Sequence, residues 1–285
     1  MFIADLPYAK TLRDHLVRTV RFAIEEDIGS GDITAQLIPE DDQSTARVIT
    51  RENGVLCGRE WFEEVFRQID PLLELDWKMQ DGDAIRPDDV LVEIKGNTRA
   101  ILTAERTALN FLQTLSGTAT LANRYATAVK GKDIIILDTR KTIPCLRLAQ
   151  KYATHVGGCQ NHRLGLYDMF LIKENHIAGC GSIENAVKRA QEIAPDKRIE
   201  VEVETIEQLQ EALNLPVDVI MLDNFDSQRT TEAVKLNAQK IKLESSGNMD
   251  LDKIKEVISD HPDFVSVGNL TKHVTALDLS LRLFE

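Results

Sequence analysis

Hydrophobic positions change their period along the chain, and each change marks a different kind of structure. Residues 12 to 24 place Leu12, Leu16, Val20, Ala23 and Ile24 at helical spacing, and the glycines of "DIGSGDIT" stop the helix. From about 45 to 101 come short β-like runs, "ARVITRENGVLCG", "LLELDWK" and "DVLVEIKG", with the helical "REWFEEVFRQI" between the first two. This pattern predicts an α+β segment. The turns of "DGDAIRPDDVLVEIKG" are like those of a lipoyl-type or hammerhead sandwich. No lysine stands at the exposed hairpin position that a swinging-arm carrier modifies, so the piece reads as scaffold. Residues 103 to 129 read as helix broken near Ser116-Gly117.

After Gly131 the pattern repeats. Apolar strands are expected at about 133–137, 169–172, 199–203, 217–222, 241–244 and 264–267. Helical segments lie between them, with start signals at Pro144, at Ser182 before "IENAVKRAQEI", and in the capping box Thr205 to Gln208. The last four strands begin roughly 20 residues apart, which is enough for βα units. Strands alternating with helices predict a parallel sheet, and the number of units favours a barrel or near-barrel over a Rossmann sheet. Neither GxGxxG after a strand nor GxxxxGK[ST] occurs, so dinucleotide and P-loop readings lose their support.

A length of 285 residues suits one large domain or two smaller ones. The net charge of -12 argues against a general nucleic-acid or anionic-membrane binder, so any anion site must be local. The start "MFIADLPYAK" lacks the basic and apolar regions of a secretory signal, and no apolar run reaches the ~20 residues of a membrane span. A cytoplasmic protein is expected. Cys57, Cys145, Cys159 and Cys180 form no CxxC pair and read as free thiols.

Barrels handle ligands at the C-terminal ends of their strands, so the residues just after each run are informative. They are Asp138-Thr139-Arg140-Lys141, then Lys173-Glu174-Asn175-His176, then Glu202 to Glu204, Asp223-Asn224, Ser245-Ser246-Gly247-Asn248 and Val267-Gly268-Asn269. Polar residues follow strands in any protein, because strands lead into loops. Here the types also sort by position: cations first, carboxylates next, small Gly/Ser/Asn loops last. Arg140, Arg163, Lys141 and Lys173 suit carboxylate or phosphate. Glu202 and Asp223 suit sugar hydroxyls or Mg²⁺. The loops "SSGNM" and "VGN" suit a terminal phosphate, because glycine lets the backbone approach. The implied ligand is a phosphorylated sugar beside a small polyanion. Asp138 either orients the neighbouring cations or is simply the first polar residue of its loop.

His155, Cys159 and His162 are spaced i, i+4, i+7, and His176 with Cys180 repeats the i, i+4 step, so zinc is conceivable. Gly157-Gly158 breaks the helix that this spacing needs, and Arg163 would repel a cation. A basic anion pocket fits better.

The strings "EDIGSGDIT", "ERTALNFLQTLSGTAT", "DTRKTIPCLR", "VGGCQNHRLGLYDMFLIKENHI", "EVEVET", "IMLDNF", "ESSGN" and "VGNLTK" span nearly the whole chain. Taken together they resemble the quinolinate phosphoribosyltransferase family, the decarboxylating nicotinate-nucleotide pyrophosphorylases of NAD biosynthesis. The resemblance implies an α/β protein with an N-terminal sandwich-like domain over 1–108 and an incomplete β/α barrel of fewer than eight strands over 109–272, with a C-terminal helix at 273–285 packing on the first. It implies a homodimer with shared active sites, with a hexamer as the alternative, in which Arg106 comes from the neighbouring subunit. Arg106, Arg140, His162 and Arg163 would hold the quinolinate carboxylates, while Lys141 and Lys173 face the pyrophosphate and reacting groups. Glu202 and Asp223 would take the ribose hydroxyls and the Mg²⁺ cofactor. Thr139, Ser245, Ser246, Gly247, Asn248, Val267, Gly268 and Asn269 complete the binding set, the glycine loops facing the 5-phosphate. The nearest rival is a paralogue of the same fold acting on another acid or nucleobase, which would differ at Arg140, Arg163 or Arg106; two rivals of other classes stand beside it. One is a Schiff-base aldolase using Lys141 or Lys173; the other is a non-enzymatic carrier or binding module.

Overall fold

The computed structural model describes residues 3, 6–260 and 262–284, so parts of the N-terminal decapeptide and the last position of the expected C-terminal helix lie outside it. The chain forms two compact units. The first comprises Met1–Asn123, Ile143–Gly158 and His273–Glu285; the second comprises Arg124–Thr142 and Cys159–Lys272. Residues 109–123 and 143–158 thus go with the first unit, where the family resemblance had placed them in the barrel.

The first unit opens with α1 (Ala9–Ile28), which buries Leu12, Leu16 and Val20 along one stripe and stops at Gly29, where φ is +52°. It continues with β1 (Gln43–Thr50), β2 (Gly54–Val55), α2 (Arg59–Ile69), β3 (Glu74–Trp77), β4 (Ala84–Ile85) and β5 (Val90–Asn97). On α2, Trp61, Phe62, Val65 and Phe66 are fully buried, and their spacing gives the helix its core-facing side. The long helix α3 (Thr98–Ala128) follows.

Helix α3 is continuous through Ser116-Gly117, where a break was expected. The two small residues mark close approach instead. Ser116 Oγ accepts from Cys57 N–H at 3.0 Å and lies 3.1 Å from the Cys57 carbonyl, to which it donates. A Cβ on Gly117 would collide with the Thr275 carbonyl. Glycine's low helix propensity is outweighed here by the room it leaves for the crossing segment.

The chain then forms β6 (Ile135–Leu137), α4 (Arg147–Val156), β7 (Phe170–Ile172), α5 (Glu174–Cys180), α6 (Ile183–Ile193) and β8 (Ile199–Val203). After these come α7 (Ile206–Ala212), β9 (Val219–Asp223), α8 (Ser227–Asn237), β10 (Lys242–Ser246), α9 (Leu251–Val257), β11 (Phe264–Ser266), α10 (Asn269–Lys272) and β12 (Leu279–Phe284). Helix α4 begins three residues after Pro144, which sits in a turn with Cys145 at φ +63°, so the proline precedes the helix and does not start it. Ser182 and Thr205 do cap α6 and α7, accepting from Asn185 and Gln208 main-chain N–H groups.

The expected C-terminal helix is a strand. The period of "LSLRLF" is two, which puts Leu279 and Leu281 on one buried face, and β12 pairs antiparallel with β1 in a sheet of order β12-β1-β5-β3. All four cysteines are free thiols.

The second unit is a parallel sheet of order β6-β11-β10-β9-β8-β7. Its six strands make an incomplete β/α barrel. Ile199, Val201 and Val203 of β8 join Ile220, Leu222 and Leu243 in the core beneath the helices. Strand alternation turns Glu200 and Glu202 to the other face, and all five β8 residues are buried. The pattern "IEVEV" therefore encodes a strand that is apolar toward its helices and charged toward the barrel interior.

The Gly117 contact gives a stability prediction. Gly117→Ala should cost about 1–3 kcal/mol through overpacking and lower the urea midpoint. Gly179→Ala, where nothing lies within 4 Å of the added Cβ, should cost nothing. Equal midpoints for the two variants would contradict the crossing contact.

Candidate active site

The strand ends of the second unit surround a cavity of about 530 Å³, lined by Thr139, Arg140, Lys141, His162, Arg163, Lys173, Glu202, Asp223, Ser246, Gly247 and Asn248 among others. Eleven of the residues expected from sequence thus meet in one space.

At the end of β6, Asp138 is fully buried and serves as a strut. Its Oδ1 accepts the His162 main-chain N–H at 3.0 Å and its Oδ2 accepts Asn161 Nδ2 at 2.7 Å. Thr139 Oγ1 accepts the Lys141 N–H at 3.1 Å, and Thr271 Oγ1 donates to the Lys141 carbonyl at 2.9 Å. The Lys141 stem passes over Gly268, where a Cβ would stand 3.0 Å from Lys141 Cδ. Both ends of the Lys141 peptide are thereby held.

At the end of β7, Lys173 donates its main-chain N–H to His176 Nδ1 at 3.0 Å, so His176 fixes a backbone turn. Lys173 Nζ forms an ion pair with Glu202 of β8. Burial raises the Glu202 pKa; Lys173 opposes this, and the charge of Asp223 on the next strand adds to it. Two carboxylates that repel across adjoining strand ends offer hard oxygen donors to one space. That donor set fits Mg²⁺, which takes one or two carboxylates beside phosphate oxygens.

After β10, Gly247 adopts φ +109° and Asn248 φ +42°. A Cβ on Gly247 would collide with the Asn224 side chain, so both backbone conformation and close approach require glycine. Ser245, Val267, Gly268 and Asn269 do not line the cavity. Ser245 lies between two lining residues, Glu244 and Ser246, and so turns to the opposite face. Val267 N–H donates to the Leu137 carbonyl at 2.9 Å, and Asn269 Nδ2 donates to the Met249 carbonyl at 3.2 Å. Arg106 belongs to the first unit, on α3, with its side chain 59% exposed.

The cavity also includes Asn224, named among the strand-end residues, and Leu171, Met221, Glu244 and Ser266, which sequence reading missed. Beneath it lies a buried cluster. His162 Nε2 is 2.9 Å from Glu200 Oε2 and 3.5 Å from Glu244 Oε2, with both carboxylates 1% exposed. Burial, followed by the Glu244 charge, raises Glu200 to about 7, while His162 opposes the shift. Burial works against charge on His162, but hydrogen bonds to Glu200 and Glu244 outweigh it and raise the ring to about 10. A charged ring needs a proton on Nδ1, yet Nδ1 accepts the Arg163 N–H at 2.7 Å. The two contacts pull in opposite directions: the carboxylates favour a charged ring, whereas the Arg163 N–H favours a bare Nδ1 with the ring's proton on Nε2, facing the carboxylates.

Among the described residues this trio has its donor atoms within 4.8 Å of one another, close enough for a metal. A hydrogen bond from Nε2 to the carboxylates accounts for the same convergence without a metal. Above the cluster, burial and then the charge of Arg140 weigh against the Arg163 cation, while Glu200 and Asp168 favour it. Asp168 also accepts the Leu164 and Gly165 N–H groups at 2.5 and 3.1 Å, closing the loop that carries Arg163.

Comparison with known proteins bears on this geometry. Residues 32–116 match the N-terminal domain of quinolinate phosphoribosyl transferase, and 118–282 match its C-terminal domain. The chain belongs to the quinolinate phosphoribosyl transferase family. It is 40% identical over 257 residues to a probable nicotinate-nucleotide pyrophosphorylase [carboxylating] of Bacillus subtilis, covering 90% of this chain and 89% of the relative. It is 37% identical to the chloroplastic enzyme of that name from Arabidopsis thaliana, covering 94% and 82%. The solved nicotinate-nucleotide pyrophosphorylase of Francisella tularensis superposes with a TM-score of 0.94 at 44% identity, covering 100% and 99%. The boundary between the two family domains falls inside α3.

The strut role of Asp138 is testable without activity. Asp138→Ala removes the acceptor of two partly buried donors and should cost about 1–3 kcal/mol in denaturant unfolding. An unchanged midpoint would show that Asp138 is only a loop residue.

Proposed function

We propose that the barrel pocket joins quinolinate to 5-phosphoribosyl-1-pyrophosphate and expels CO₂ and pyrophosphate, giving nicotinate mononucleotide in de novo NAD synthesis. The observation that carries this reading is the gathering of Arg140, Lys141, Arg163 and Lys173 around one cavity that also holds Glu202 and Asp223. Family membership and the activity named in its relatives support it.

Arg140 and Arg163, joined by the partner subunit's Arg106, bind the two carboxylates of quinolinate. The main-chain N–H groups of Gly247 and Asn248 take the 5-phosphate, with Ser245, Ser246, Val267, Gly268 and Asn269 shaping the loops around them. Mg²⁺, held by Glu202, Asp223 and the phosphates, would neutralise the leaving pyrophosphate. Lys141 and Lys173 add to that stabilisation. Lys173 is paired with Glu202 before substrate arrives, so pyrophosphate competes for a cation already in place, and Glu202 is released toward the ribose hydroxyls.

The pyridine nitrogen attacks the anomeric carbon as the bond to pyrophosphate breaks. Nitrogen then carries a positive charge. The bond from C2 to its carboxyl carbon breaks next, CO₂ leaves, the electron pair stays on C2 beside the cationic nitrogen, and a proton is added there. The ring supplies its own electron sink, so no further organic cofactor is required. The enzyme works in the cytoplasm as a homodimer with shared sites. Among the described residues no helix is long and apolar enough to cross a membrane.

The direct test supplies quinolinate, phosphoribosyl pyrophosphate and Mg²⁺. Release of one CO₂ per nicotinate mononucleotide is expected, and no product would overturn the assignment. A Schiff base trapped by borohydride on Lys141 or Lys173 would point instead to aldolase chemistry.

The shared site has its own test. Arg106→Ala and Lys173→Ala should each fold and lose most turnover. Refolded as an equal mixture they should recover about a quarter of wild-type activity, because half the dimers are mixed and each mixed dimer holds one intact site. A mixture as inactive as its components would exclude sharing.

A further inference from the structure

We infer that Glu200 and Glu244 are positioning residues for the acid-binding end of the pocket, acting on Arg163 through His162. This rests on the function proposed above. The two carboxylates stand on β8 and β10, on either side of β9, and both are almost wholly buried. They converge on one atom, His162 Nε2, at 2.9 and 3.5 Å. The other ring nitrogen accepts the Arg163 main-chain N–H at 2.7 Å, and the His162 main-chain N–H is held by Asp138 at 3.0 Å. Two barrel strands thus fix one imidazole, a residue just past a third fixes its main chain, and the imidazole fixes the backbone from which the Arg163 guanidinium extends.

Charge points the same way. A buried carboxylate is retained only where something compensates it. The Glu200 charge favours the Arg163 cation, while Arg140 opposes it. The pair beneath the pocket lets two guanidinium groups stay close together before a dianionic substrate arrives to neutralise them. Lys173 and Glu202 form a separate pair at the rim. Losing the deeper carboxylates should therefore harm recognition of the acid and spare recognition of the sugar phosphate.

The experiment measures KM for each substrate separately in Glu200→Ala, Glu200→Gln and Glu244→Ala. The expected result in both alanine variants is a rise in KM for quinolinate on the order of 10–100-fold, the worth of one charge-assisted hydrogen bond. KM for phosphoribosyl pyrophosphate should stay within about threefold of wild type, because no phosphate-facing group has moved. Glu200→Gln keeps an acceptor for the Nε2 proton and should recover most of the quinolinate affinity. Equal rises in both constants, or a fall in kcat alone, would overturn the inference.

A second measurement uses the wild-type protein and does not depend on any variant folding. With ¹⁵N-labelled histidine, the His162 resonance should show a protonated Nε2 and an accepting Nδ1. A protonated Nδ1 would break the link to Arg163 and sink the proposal. A wild-type enzyme that makes no nicotinate mononucleotide would instead refute the underlying function, so the two failures are distinguishable.

Discussion

Like charges repel, and the barrel pocket gathers Arg140, Lys141, Arg163 and Lys173 around a single opening. In a partly dry site that repulsion is screened less than in water, and Arg140 weighs against the Arg163 cation. The rest of the unit is arranged so that it can be borne. Lys173 is met by Glu202 at the rim, Arg163 by Glu200 below and Asp168 beside it, and the backbone carrying the cations is tied down by Asp138, Thr139, Thr271 and His176. Polyanionic substrates then supply the remaining counter-charge. With an overall charge of -12, the protein's attraction for anions is confined to this local cationic site.

Much of this could be read from the order of residues. Six apolar runs separated by helical segments became six parallel strands, and the residues just past them became the pocket wall, because a parallel sheet delivers its strand ends to one side. "DTRK" is informative for the same reason: Asp138 is buried as a strut while its neighbours line the cavity. The resemblance to a known family added roles to these positions, which periodicity could not.

The misses share a physical cause. Glu200 and Glu244 lie within strands, where an apolar interior is the usual expectation, so attention to strand ends passed over them. The available signal was alternation: in "IEVEV" every second residue is charged, which in a strand covered by helices on one face leaves the barrel interior as the place for the charges. The last strand was missed because the helix at 273–285 came with the family resemblance, and the period of two in "LSLRLF" was not weighed against it. Ser116-Gly117 looked like a break because propensity is local, while the carbonyl that needs the space comes from more than 150 residues away.

If the cations act as a matched pocket for two carboxylates, the most direct test is discrimination between quinolinate and nicotinate, which lacks the 2-carboxylate. Sites built to pair a polar group reject analogues without it by roughly 10⁴-fold, because the site's own groups are left unpaired. We predict a kcat/KM ratio of about that size in favour of quinolinate. A ratio within about tenfold, the scale of a single ordinary contact, would contradict the account.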